Sequence, residues 1–375
     1  KMADIDKSLP NQKTTVKLPG EEEIEEAIQE NIKEVDAEGQ PVEVKMTEEG
    51  GAEVSFDPSA AVPTGGEDHY ANLAEFLDDG VLDSLGAKLT EDYRDYRNSR
   101  KDWEDSYREG LDLLGFKYER RTEPFRGASG VTHPVLAEAV TQFQATAYKE
   151  LLPADGPVRA QILGDINEAK QDQAHRVKDF MNWQLMDQMK EYEPEFDQML
   201  FYLPLAGSTF KKVYYDELLG RAVSKFVPAD DLVVPYAATS LEDAESVIHV
   251  IKVSENDLRK QQVAGFYRDI ELGKPPITEN ELKKKEHELE GITKDKQDDI
   301  YTLIECHVNL DLEGYEDVNP EDGEPTGIKL PYIVTIDEST FKVLAIRRNF
   351  KLNDPLKKKK EFFVHFKFLP GLGFY

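Results

Sequence analysis

The stretch from Arg120 to Gly164 constrains the fold more than any other, because its punctuation sets a loop, a helix and a turn in succession. Gly127-Ala-Ser-Gly130 reads as a flexible turn ahead of a helix. Pro134 suits the first helical turn, where a missing N–H costs nothing, with His133 or Thr132 as N-cap. Leu136, Val140, Phe143, Ala147 and Leu151 recur at helical spacing, and Val135 and Ala139 widen that face. Thr141, Gln142, Gln144 and Thr146 lie on the other side. They are polar but uncharged, which suits packing against another chain. Pro153 stops the helix, and alternation of Val158, Ala160 and Ile162 after Pro157 predicts a strand with one buried face.

Upstream, Leu73, Phe76 and Leu77 predict a short helix followed by Gly80. A long helix is expected from Thr90, as N-cap, to Leu114, with Tyr93, Tyr96, Arg100, Trp103, Tyr107 and Leu111 in one stripe. Its acidic residues alternate with Arg and Lys at spacings that allow i,i+4 pairs. Such a helix lies either between subunits, with Trp103 and Tyr107 as interface residues, or on a solvated surface, and Trp103 and Tyr107 are expected to be buried, in the core or against a neighbour. Downstream, Asp165 and Glu168 form a capping-box pattern for a helix from Ile166 to about Glu191. That helix should bury Val177, Met181 and Leu185, with Phe180 and Met189 beside them. Pro194 opens a further helix that Pro204 ends. Thr209–Asp216 and Arg221–Val227 read as a hairpin around Glu217-Leu-Leu-Gly220, with short strands at Leu232–Val234 and Ser246–Lys252. Ser254 and Asp257 cap another helix. Thr278–Glu290 is a highly charged helix with few apolar residues, unable to form a core alone. From Asp299 the period switches to two: Tyr301, Leu303 and Glu305 alternate with Thr302, Ile304 and Cys306. Strands are expected at Pro331–Asp337, Lys342–Phe350 and Glu361–Phe368, and Gly314–Gly327 is a turn or loose connection.

Charge separates the first quarter from the rest. The net charge is −29, and Lys1–Asp92 holds 7 basic and 24 acidic residues. Residues 1–65 have the composition of a solvated acidic arm, within which Glu21–Glu34 suggests a short helix and Pro41–Phe56 a weak extended segment. Tight grip on duplex DNA is not expected, because neutralising phosphate takes clustered Lys and Arg. An acidic wall can instead surround DNA and let it slide. Cys306 is the single cysteine, so one chain forms no disulfide and no multi-cysteine zinc site, which fits a reducing compartment. No apolar run reaches membrane-spanning length, and no signal peptide is visible. The apolar stretch Phe368–Tyr375 leads us to expect that the sequence is the front part of a longer protein.

Motifs for chemistry are sparse. Gly127–Gly130 lacks the lysine and hydroxyl of a P-loop, being followed by Val131-Thr-His-Pro134. The histidines are scattered, and Cys306 and His307 point to opposite faces of an expected strand. Asp230-Asp231 and Asp298-Asp299 have cation-binding character, although each more simply caps a loop or faces water. No nucleophile elbow is present. Catalytic residues, metal ligands and cofactors are therefore not assigned. Lys357, Lys358, Lys359 and Lys360 form the most basic run. They are open to three readings: contact with DNA phosphates in a channel, pairing with a neighbouring subunit's acidic arm, or a solvated loop after Asn353-Asp-Pro355.

The segment GASGVTHPVLAEAVTQFQATAYKELLPADGPVRAQILG resembles the N-terminal segment of portal proteins of tailed bacteriophages, in the long podovirus-type branch; the likeness continues more loosely to about Val253. The resemblance implies a mixed α+β subunit of a homo-oligomeric ring, a dodecamer, at one capsid vertex. The ring conducts double-stranded DNA during packaging and ejection and has no catalysis of its own. Its partners would be further copies of itself, the major capsid protein, the terminase large subunit and head-to-tail adaptor proteins. Its location would be the virion, after assembly in the host cytoplasm. On this footing the expected parts are an acidic arm (1–65), a helical segment (66–118), a wing-like α+β domain (119–253), a helical segment (254–298, a possible stem) and a strand-rich segment (299–375, a possible clip). The alternative is an acidic adaptor or scaffold, also non-catalytic, that forms no DNA-conducting ring.

Overall fold

The computed structural model describes residues 43–46, 52–55, 69–114, 125–127, 133–216, 219–273, 281–289, 300–319, 324–352, 354–369 and 374–375. Two units divide the chain, Lys1–Ala71 and Asn72–Tyr375. In the first, β1 (Glu43–Met46) pairs antiparallel with β2 (Ala52–Ser55), Val44 opposite Val54. The extended segment expected at Pro41–Phe56 thus contains a hairpin. The helix expected at Glu21–Glu34 lies outside the described residues.

The second unit is mixed α+β, with helices on two antiparallel sheets. The larger sheet has the order β5-β6-β7-β8-β9, formed by Leu232–Val233, Ser246–Ser254, Ile300–Leu310, Leu330–Asp337 and Val343–Arg348. The smaller has the order β10-β3-β4, formed by Phe363–Lys367, Ser208–Asp216 and Arg221–Pro228. The hairpin and strands expected from Thr209 onward therefore appear within a residue or two of their expected positions. Both sheets cross the part boundaries drawn from sequence. β6 pairs with β7 across residues 254–299, and β10 returns to pair with β3.

The alternation of β7 is buried on both sides. Ile304, Cys306 and Val308 join Val334, Ile336 and Ile346 under α1 (Asp79–Ser99), through Leu82, Leu89 and Tyr93. On the other face Tyr301 and Leu303 pack with Leu258 of α6 (Glu255–Val263). Ser254 caps α6 as expected, its Oγ accepting from the Asp257 amide at 3.2 Å.

Helix α1 starts at Asp79, well before Thr90, which is an interior residue whose hydroxyl donates to the Gly86 carbonyl at 2.8 Å. Gly80 and Gly86 mislead a propensity reading. A Cβ on Gly86 would lie 2.0 Å from the Phe341 carbonyl oxygen, so glycine is required where the helix presses on the β8–β9 turn. The expected single helix is also divided: α1 ends at Ser99, Arg100 leaves helical geometry, and α2 runs Lys101–Leu113. The short helix expected at Leu73–Leu77 is a 3₁₀ turn, Leu73–Glu75, capped by Asn72.

Helix α3 (Val135–Leu151) begins after Pro134, which occupies the cap position with no side-chain cap; Thr132 lies outside the described residues. It packs on α5 (Tyr192–Ala206), with Ala147, Tyr148 and Leu152 against Phe196, Met199 and Leu200. Pro204 lies inside the last turn of α5, and the helix ends at Gly207 with φ of 81°.

Candidate functional site

Helix α4 runs Glu168–Trp183 and continues as a wide turn, Gln184–Gln188. Its cap is Asn167, whose Oδ1 accepts from the Lys170 amide at 2.8 Å, and Asp165 instead offers its carbonyl to the Lys170 ammonium. The periodicity is the one read from sequence, but the burial is not. No residue of α4 is buried, and Val177, Phe180, Met181 and Trp183 are 46%, 60%, 43% and 48% exposed. Leu185 is half-buried, and Met189 alone of the expected set is buried. Leu163 and Ile166, leading into the helix, are also exposed. Phe180 and Trp183 meet each other, with ring centroids 5.8 Å apart. The chain thus builds an amphipathic helix whose apolar face is left uncovered among the described residues.

Asn182 anchors this helix to the turn that ends α3. Its Oδ1 accepts from the Val158 amide at 2.9 Å, and its Nδ2 donates to the Val158 and Asp155 carbonyls at 3.3 and 3.4 Å. Gly156 has φ of 88°, and a Cβ there would lie 2.4 Å from the Asn182 carboxamide. Held in this way, residues 158–162 join no sheet, and the strand expected there does not form. Of the uncharged face of α3, Gln144 is engaged within the chain, donating to the Asp197 carboxylate at 2.9 Å. Thr141, Gln142 and Thr146 are exposed, the two threonine hydroxyls bonding back to their own helix.

Trp103 and Tyr107, expected from sequence at a subunit interface, find partners inside their own chain. Tyr107 is buried, Trp103 stacks on it at 5.5 Å and on Tyr375 at 4.9 Å, and the indole N–H donates to the Ala206 carbonyl at 3.2 Å. Arg100 accompanies them. Its guanidinium donates to the carbonyls of Ala229 (2.9 Å), Leu232 (2.8 Å) and Asp230 (2.6 Å) and to the Glu104 carboxylate (3.0 Å).

The lysine run is largely tied down. Lys357 pairs with Asp317, and the Lys359 ammonium donates to the Leu241 and Glu242 carbonyls at 3.1 and 2.8 Å. The Lys360 amide donates to the Asn349 carbonyl, and Lys358 is exposed. Beside the run a cavity of about 400 Å³ is lined by His307, Asn309, Asn349, Lys359, Phe363 and His365, among others. Buried near it, Glu305 receives the Lys212 ammonium at 2.6 Å and the His307 ring at 2.7 Å. Burial pushes the Glu305 carboxyl up, but Lys212 and His307 outweigh burial and hold it well below the usual range. Cys306 lies on the opposite face, where burial raises its thiol. The GASG loop contributes only Gly127 to the described residues, with φ of 91°.

Of the acidic pairs, Asp298-Asp299 lies outside the described residues. Asp230 and Asp231 gather instead around Lys283 of α7 (Glu281–Leu289), whose ammonium is 2.9 Å from Asp230, 3.2 Å from Asp231 and 3.6 Å from Glu286. The Tyr107 hydroxyl donates to Glu286 at 3.1 Å. Burial and then neighbouring Asp230 raise the carboxyls, Asp231 to about 6 and Glu286 to about 7. Sequence reading missed this cluster because Lys283 sits in a run that looks fully solvated. The Lys283 ammonium takes the place a cation would occupy. Among the described residues no group of three or more His, Cys, Asp or Glu side chains is arranged to hold a metal ion, and no helix is long and apolar enough to cross a membrane. Neither the protein-family models nor the curated proteins contain a match to this chain.

Proposed function

We propose that the chain is the subunit of a portal-type ring, a closed homo-oligomer at a capsid vertex through which double-stranded DNA is packaged and ejected. The uncovered apolar face of α4 carries this reading. Soluble monomers seldom leave a contiguous apolar helix face in water, whereas a ring takes up such a face at every subunit boundary. The exposed uncharged residues of α3 suit a second contact in the same boundary. The charge of −29 suits a conduit, since a wall that repels phosphate does not hold the DNA it surrounds. Terminase, capsid protein and head-to-tail adaptors are then its partners, and virion its location.

Mass photometry and negative-stain imaging test the ring. The expected result is a closed ring for the wild type and free subunits for Val177→Glu/Phe180→Glu. Melting of the free subunit should hardly change, because both side chains are already exposed within it. A wild type that stays monomeric at all concentrations, or a ring that the double substitution leaves intact, overturns the reading. Short duplex DNA titrated at low salt should bind weakly, with any residual affinity lost when Lys357–Lys360 are changed to Ser. Tight, sequence-selective binding would instead identify a DNA-recognition protein.

A further inference from the structure

The cluster around Lys283 has an unbalanced charge. Three carboxylates (Asp230, Asp231 and Glu286) converge on one ammonium, and the side chains of Asp230, Glu286 and Lys283 are 1%, 11% and 15% exposed. The Lys283 ammonium, 2.9 Å away, is the group that meets the buried Asp230 carboxylate. These groups come from two separate places, α7 and the Ala229–Asp231 turn, and Tyr107 of α2 joins them by donating to Glu286. They are also much of what attaches α7. Among the described residues, Leu282 is also buried in the core containing Tyr107 and Leu111, Leu289 packs against that core, and Lys285 pairs with Asp112.

We propose that α7 is a proton-linked clasp, seated more firmly on α2 and the Ala229–Asp231 turn as pH falls from neutral and loosened as pH rises. This inference is independent of the ring. With every carboxyl ionised, the docked cluster carries three negative charges against one positive, in a place shielded from water. One added proton removes most of that repulsion without removing the Lys283 bridge. Undocked, Asp231 and Glu286 return to water and to an ordinary acidity. Docking therefore takes up a proton, and by linkage a lower pH favours the docked form.

The neighbouring charges do not reverse the sign. Facing Glu286 are Lys283, Tyr107, Asp230 and Asp231, and Asp231 also feels Lys252 of β6. The Arg100 guanidinium binds the Asp230 carbonyl at 2.6 Å and its charge also acts on the Asp230 carboxylate, but it is not among the main groups acting on Glu286 or Asp231. The raised carboxyls set the window. The linked stabilisation is absent above about pH 7, grows as pH falls through 7 and 6, and is complete near the ordinary values of 4.5 and 3.8.

Native-state hydrogen exchange of the intact protein, expressed as protection factors so that the intrinsic pH dependence of exchange is removed, tests the clasp. Amides of Glu281–Leu289 should gain at least about tenfold in protection between pH 8 and pH 5, each unit of displaced acidity being worth a factor of ten. Amides of β8, in the sheet core, should gain less. In Glu286→Gln/Asp231→Asn the pH-dependent gain should disappear, with helix protection at pH 8 raised towards its value at pH 5. Flat or falling protection of α7 in the wild type on acidification overturns the proposal without reference to any variant. An undiminished gain in the double variant overturns the assignment to these two carboxyls.

Discussion

Replacing Arg100 by Met should destabilise the Asn72–Tyr375 unit by about 3–5 kcal/mol, the range for removing one partner of a buried charged network. Exchanging a buried ionic group for an apolar one is often harmless when its partners can be removed with it. Here three of the partners are backbone carbonyls, of Ala229, Asp230 and Leu232, which no side-chain change can delete. Each loses a charge-assisted bond worth about 1.5–3 kcal/mol. Relief of guanidinium desolvation offsets part of that sum, which brings the net value into the lower range. Glu104 loses its nearer partner and keeps Arg97 at 3.5 Å, and the Trp103 and Tyr375 rings lose a cation 5.2 and 5.1 Å from their centroids. Calorimetry should show melting lowered by about 5–10 °C for a unit of this size. Arg100→Lys should recover only a minor part, because an ammonium cannot reach carbonyls on both sides of the turn as the planar fork does. A Met variant that melts within about 1 °C of the wild type would refute the reasoning, since it would mean that water or a backbone shift satisfies the three carbonyls at no cost.

Gly86→Ala should cost about 1–3 kcal/mol by overpacking against the Phe341 carbonyl, read by urea unfolding, while Gly80→Ala, with nothing within 4 Å, should cost nothing or stabilise. Lys212→Met should cost about 3–5 kcal/mol at pH 7 by stranding Glu305 between the sheets. The same pair predicts acid sensitivity: Glu305 is held below its ordinary value of 4.5, so its contribution is complete above that value and is lost as pH falls further. Urea unfolding of wild type and Glu305→Gln from pH 7 to pH 3 should converge, and curves that stay parallel would show that the carboxylate is not the source.

Local signals were legible where local chemistry decides the structure. The β3–β4 hairpin follows from two β-branched and aromatic runs around Gly220, which has φ of 62°. The Ser254 cap and the two-residue period of β7 follow in the same way. Reading failed where a distant group decides. Gly86 looks like a helix breaker until the Phe341 carbonyl is placed beside it. Val158–Ile162 alternates like a strand, but Asn182 holds Val158 and the segment joins no sheet among the described residues. Lys283 reads as solvated because Asp230, Asp231 and Tyr107 lie far away in sequence. For α4 the stripe was legible and its exposure was not, since periodicity identifies an apolar face without saying whether the same chain covers it.

The place of β10 in the small sheet has a consequence for synthesis. β3 and β4 leave the ribosome as a hairpin whose outer edge is open, and its partner Phe363–Lys367 follows only after β5 to β9 have been made. At about 5–20 residues per second that interval is roughly 7–27 s. Throughout it the unpaired N–H and C=O groups of β3, with Val213 and Tyr215 exposed beside them, offer a template to any other extended chain. Nascent chains crowded on one polysome present that edge to one another, so a ribosomal pause just before Phe363 should lower the yield of folded protein more than an equal pause after Lys367.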